Sequence, residues 1–204
     1  MSFFCLLWIP LFYLFRRSIS GGEAGSGGVW ALLLGSLTAI TRFFIGTFVN
    51  AGGFGLSRWI GGFVDIVGLP VLLPLIVYTL LVLFRILSGA VDFANFALLW
   101  LIPVGALRAV SWSAGNDPIL LVLVPLLWTA AAVGIPFFIK LILNMMRWWV
   151  IVPCTLGILA LPLTISTAYW AFYSQETSLA LLFFFISIIP LTISTIFSFV
   201  RAGR

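Results

Sequence analysis

Apolar runs of about 20 residues recur along this chain, and that recurrence limits its fold more than any other feature. The pattern is clearest over residues 69–112, where two such runs flank a short polar turn running from Arg85 to Asp92. A run of that length forms an α-helix about 30 Å long, the thickness of a bilayer's hydrocarbon core. Barrel strands would be about half as long and would alternate apolar with polar. A water-soluble alternative fails on surface. Only 7% of the 204 residues are charged and 63% are hydrophobic, whereas soluble domains carry about 25% charged residues. The chain therefore reads as an all-α, polytopic membrane helical bundle.

Six runs are long enough to span: 29–49, 69–87, 93–112, 119–146, 148–173 and 178–200. Pro125 and Pro136 are expected to kink or divide the fourth. Residues 2–15 are apolar but short, and Arg16 and Arg17 follow. They read equally as an interfacial or re-entrant anchor or as a short first span. With the Gly/Ser-rich linker 18–28 they form an N-terminal unit, residues 1–28, ahead of a six-helix transmembrane domain, residues 29–204. Residues 50–68 mix glycines with Phe54, Trp59 and Phe63 and read as a segment lying in the interface. Ala31, Gly35 and Ala39 fall on one helical face, where small side chains let a neighbouring helix approach.

The basic residues orient the chain. Nine Arg and one Lys give a net charge of +5, and they sit singly at the ends of apolar runs. That distribution suits a membrane surface and not nucleic acid, which would need clustered basic residues interleaved with exposed aromatics. Placing Arg201 and Arg204 in the cytoplasm puts Arg16, Arg17, Arg85, Lys140 and Arg147 there by alternation. Arg58 and Arg108 are the outer exceptions, each sharing a loop with an Asp. The expected location is the plasma (inner) membrane, with both termini cytoplasmic.

Catalytic machinery is scarce. The chain has no His, which removes Ser–His, Cys–His and His–metal chemistry. The five carboxylates, Glu23, Asp65, Asp92, Asp117 and Glu176, are dispersed, and no phosphate-binding Gly-rich loop is present. Cys5 and Cys154 are isolated within apolar runs and read as small hydrophobes. No catalytic residue, metal site or cofactor is expected.

A few polar residues within or beside the spans are candidates for a pathway or for helix packing. Arg42 lies inside the first long span, roughly 10 Å from its end by helix rise. It reads either as an anion-contacting residue or, more simply, as an Arg that snorkels outward or pairs with Asp65. Asp92 and Asn95 open the third span. There Asp92 could cap the helix and pair with Arg85 across the turn. Lys140, Asn144 and Arg147 fall on one face where the fourth span leaves the membrane; a positive-inside anchor is the simpler account, and a contact with lipid head groups or a soluble partner the alternative. The hexapeptide PLTIST occurs twice, at residues 162–167 and 190–195, placing Thr164 and Thr192 beside a helix proline in antiparallel spans. Matched discontinuities mark binding sites in some transporters, although simple kinks are the better account of them.

Residues 83–107 have a basic residue ending one span (Arg85), a Gly-containing turn (Gly89), an aromatic (Phe93) and a proline partway along the next span (Pro103). This pattern resembles the Yip1-domain membrane proteins, and the resemblance could extend over residues 29–173. The turn differs in having one Gly and an Asp where that family often has two Gly and a Lys, and a sixth span is added. The resemblance implies a helical integral membrane protein without enzymatic activity, of a kind whose eukaryotic members act in membrane trafficking with small GTPases. It names no functional residue. From the residues themselves, the expected role is a non-enzymatic structural or scaffold component that contacts lipid and other membrane proteins. The alternative is a small transporter or channel with a pathway near Arg42.

Overall fold

A computed structural model describes residues 2–20, 25–52, 63–87, 92–111 and 118–202. Among these, seven helices and no strands are present. They are α1 (Ser2–Ser20), α2 (Gly25–Gly52), α3 (a π-helical stretch Val64–Leu72 continuing into Leu73–Leu83), α4 (Phe93–Ser111), α5 (Pro118–Met145), α6 (Trp148–Tyr173) and α7 (Thr177–Ala202). Six of them, α2 to α7, are long and apolar enough to cross a membrane. The protein is a multi-pass membrane helical bundle.

The bundle is built around α4 and α5, which are buried along most of their length, while α6 and α7 leave most of theirs facing outward. Trp100, Trp128, Phe96 and Leu127 fill the centre with Ala130, Ala131 and Ala132. Large and small side chains alternate here, as dense packing requires. Outward faces carry Leu156, Leu159, Phe185 and Ile189, which suits a lipid solvent.

Small residues govern the closest approaches. Ala31 and Ala39 are buried on α2. A Cβ built on Gly35, between them, would lie 2.6 Å from the Trp100 carbonyl oxygen and 3.1 Å from the Pro103 ring. Gly134 does the same where α5, α6 and α7 meet, against Leu161 and Pro190. These contacts are the close helix packing that such a face permits.

Several boundaries differ from the sequence reading. α1 is 19 residues long and carries the helix through Arg16 and Arg17. Residues 18–20 and 25–28, read as linker, are helical. Residues 64–68, expected in an interfacial segment, belong to α3; residues 53–62 of that segment lie outside the described residues. Pro125 and Pro136 do not divide α5, which runs unbroken past both.

Proline instead leaves its mark on α3. Pro70 has no N–H, so in an α-helix the Ile66 carbonyl four residues earlier would lose its donor and meet the ring. The chain widens into π-helix there, with the Leu73 N–H reaching back five residues to the Gly68 carbonyl. The Trp128 indole N–H donates to the Ile66 carbonyl at 2.9 Å. This bond satisfies a backbone oxygen and ties α3 to α5.

Helices α3 and α6 stop in the same way. Arg85 and Gln175 adopt φ of 58° and 65°. The following N–H groups of Ile86 and Glu176 bond back to the Leu81 and Ala171 carbonyls. This is the Schellman closure, usually made with Gly at the left-handed position.

Candidate functional site

Three helix ends meet at Asp92. Its carboxylate accepts from Arg16 Nη2 at 2.8 Å and from Lys140 Nζ at 3.1 Å. It also accepts from the Ala94 backbone N–H at 3.3 Å, capping α4. The end of α1, the start of α4 and the end of α5 are thereby pinned at one face of the bundle. Asp92's partners are these two residues and not Arg85, which stands exposed in the turn. The Arg16 and Asp92 side chains are only 13% and 12% exposed, whereas Lys140 is 58% exposed. Burial pushes the Asp92 carboxyl up, but the neighbouring Arg16 and Lys140 charges outweigh it and hold it below its ordinary value.

A groove of about 750 Å³ runs along this face between α5 and α7, with Arg16 at its edge. Lys140, Asn144, Ser194 and Ser198 line its polar part, and Phe137 and Phe197 part of its apolar wall. The two phenylalanine rings lie 6.1 Å apart. Sequence reasoning singled out Lys140 and Asn144 as a stripe; the structure adds Arg16 and the two serines, which no sequence signal joined to them.

The other candidates are dispersed. Asn95 is fully buried one turn beyond Asp92, and neither its amide nitrogen nor its oxygen has a hydrogen-bond partner among the described residues. Thr164 accepts from Ser187 at 3.1 Å, linking α6 to α7, and donates to the Leu161 carbonyl. Thr192 is exposed and donates to the Ile188 carbonyl of its own helix. The two PLTIST copies are therefore not equivalent, since one ties two helices and the other faces outward. Arg42 is partly exposed on α2, one turn beyond Ala39. Of the residues in the Yip1-like pattern, Pro103 packs beside Gly35 and Phe93 is buried; Gly89 lies outside the described residues.

A second buried cation is Arg108, which charge alternation along the sequence places in an outer loop. Arg108 is 2% exposed, within α4 and about 24 Å from Asp92 along the helix. Its guanidinium lies 5.4 Å from the Trp128 ring centroid and 6.0 Å from that of Tyr169. Aromatic faces stabilise a cation away from water. The loop placement fails because α4 continues past this position to Ser111.

α1 also enters the bundle. The Trp8 indole N–H donates to the Thr129 hydroxyl at 3.0 Å, in the middle of α5, and Ile9 is wholly buried. α1 runs toward the Asp92 face, so its first turn lies about 21 Å from Arg16, deep in the layer.

No protein-family model, curated protein or solved structure matches this chain.

Proposed function

We propose that this chain is a non-enzymatic integral membrane protein acting as a structural or scaffold component of a membrane complex. The observation that carries the reading is how polar groups are spent at the centre of the bundle. Trp8 with Thr129, Trp128 with Ile66, Ser187 with Thr164, and Arg108 with its two rings each join one helix to another. Between them stand tightly packed apolar side chains. Polarity invested in this way makes a rigid frame whose broad apolar walls, on α6 and α7, are left for lipid or partner helices. The Yip1-like pattern points the same way.

In this reading the Asp92 face is cytoplasmic and the membrane is the plasma membrane. Arg16, Arg17, Arg85, Lys140 and Arg147 all belong to helix ends or turns on that side, in keeping with the positive-inside rule.

Reconstituted vesicles test the proposal. The expected result is no solute flux above that of protein-free vesicles. Flux that Arg42→Ala abolishes would overturn the scaffold reading in favour of a small transporter. A photo-crosslinker at Leu156 or Phe185 is expected to give a discrete protein adduct in native membranes.

A further inference from the structure

The groove between α5 and α7 has a chemistry that the scaffold reading does not use. From Val133 to Met145 it extends about 18 Å along α5, parallel to the helices. Its chemistry changes along that length. Lys140, Asn144 and Ser198 lie toward the Asp92 face, and Val133, Pro136 and Phe137 lie deeper. On its outward side Phe197 and Val200 are 61% and 54% exposed, so the groove opens toward the lipid. Trp148 and Trp149, 73% and 54% exposed at the start of α6, mark the head-group level just beyond it.

Charge at the mouth is unbalanced. Arg16 and Lys140 bring two positive charges to the single carboxylate of Asp92. A Lys ammonium has three N–H donors; Lys140 places one on Asp92 and keeps its side chain more than half exposed. Arg16 Nε is buried and has no hydrogen-bond partner among the described residues. The volume, about 750 Å³, lies within the roughly 300–1,000 Å³ of small-molecule sites.

We propose that this groove is a binding site for one anionic phospholipid, its phosphate on Lys140, Asn144 and Ser198 and one acyl chain along Phe137 and Phe197. A phospholipid is the occupant that fits because its polarity changes along the same axis, from head group to tail, as the groove's does. Its negative charge also answers the excess positive charge at the mouth. The proposal stands apart from the scaffold reading and would survive its failure.

Native mass spectrometry of the full chain released from detergent tests it, with phosphatidylglycerol and phosphatidylcholine of matched chains as probes and inorganic phosphate as a third arm. Lys140 is more than half exposed, which keeps its contribution modest, and phosphatidylglycerol is expected to bind roughly fivefold tighter than phosphatidylcholine. Phosphate alone is expected not to bind, because the acyl wall contributes nothing to it. Lys140→Gln is expected to bring the preference close to one. Asn144→Asp, which sets a negative charge in the groove and removes neither cation that pairs with Asp92, is expected to do the same and decides the matter if Lys140→Gln fails to fold. Ser198→Trp is expected to reduce binding of both lipids by filling the groove. Equal binding of the two lipids to the unaltered protein would overturn the proposal. So would tight phosphate binding without lipid, or a Ser198→Trp protein that loses a dimer but no lipid, since the occupant would then be a second copy.

Discussion

Asp92→Asn should be among the most damaging single changes on the charged face, and the exposures of its partners set the size of the effect. Removing one partner of a buried ion pair costs about 3–5 kcal/mol, because the other charge is left uncompensated. Arg16 and Asp92 are both nearly buried, so that range applies. Asn keeps the shape and one acceptor, which points to its lower end, about 3 kcal/mol. Lys140 is 58% exposed and belongs with surface pairs, at about 0–1 kcal/mol. The expected order is Asp92→Asn first, Arg16→Met close behind, and Lys140→Met well below both. Titration from mild detergent into SDS, followed by far-ultraviolet circular dichroism, reads all three. The reasoning fails if Lys140→Met costs as much as Arg16→Met, or if Asp92→Asn lies within about 0.5 kcal/mol of the unaltered protein. Acid offers a second reading. The folded carboxyl titrates below its unfolded value of about 3.9, so the unfolded chain takes up the proton first. The contribution is complete above roughly pH 4 and is lost as pH falls through the folded value; a loss beginning near pH 6 would contradict the assignment.

Four further outcomes are expected of the same unfolding assay. Gly35→Ala should cost about 1–3 kcal/mol, since its Cβ would stand 2.6 Å from the Trp100 carbonyl oxygen and backbone must move; a neutral result would refute the packing of α2 on α4. Asn95→Leu should stabilise by roughly 1 kcal/mol by removing a buried amide without partners, and destabilisation would show that the amide is engaged. Trp128→Phe should cost about 1–3 kcal/mol by stripping the Ile66 carbonyl of its indole donor; Pro70→Ala, which restores a backbone N–H, should shrink that cost in a double-mutant cycle. Gln175→Gly should stabilise by about 1 kcal/mol, because Gly takes a positive φ without Cβ strain, and a loss of stability would place the side chain in an unseen role.

The spans were legible because a membrane helix must be apolar over a fixed length, and that requirement is written in consecutive residues. α6 begins and ends where the apolar run does, at Trp148 and Tyr173. The small face of α2 was legible for the same reason, since Ala31, Gly35 and Ala39 repeat every four residues. Tertiary partnerships were not. Arg16 looked like a surface anchor because nothing within a few residues of it offers a carboxylate; its partner lies 76 positions away. Arg108 looked like a loop residue because Trp128 and Tyr169 come from two later helices. The π-helix over Pro70 could have been suspected from Gly68, Pro70 and Pro74 standing close together, but the widening of the turn and its indole donor belong to packing. Asp92 and Lys140 were both singled out by local arguments, as a helix cap and a membrane anchor, and only the fold shows that they touch.

The place of α1 bears on how the protein is made. Its Trp8 docks on a residue 121 positions further along, in α5, and Arg16 pairs with Asp92 at the start of α4, a carboxylate that Lys140 of α5 also engages. Synthesis proceeds from the amino end, so α1 leaves the ribosome before the helices that seat it. It must wait beside the growing bundle, its aromatic face uncovered, until the fifth helix arrives. Truncation within α5 ahead of Thr129 should therefore leave α1 unlatched and open to protease.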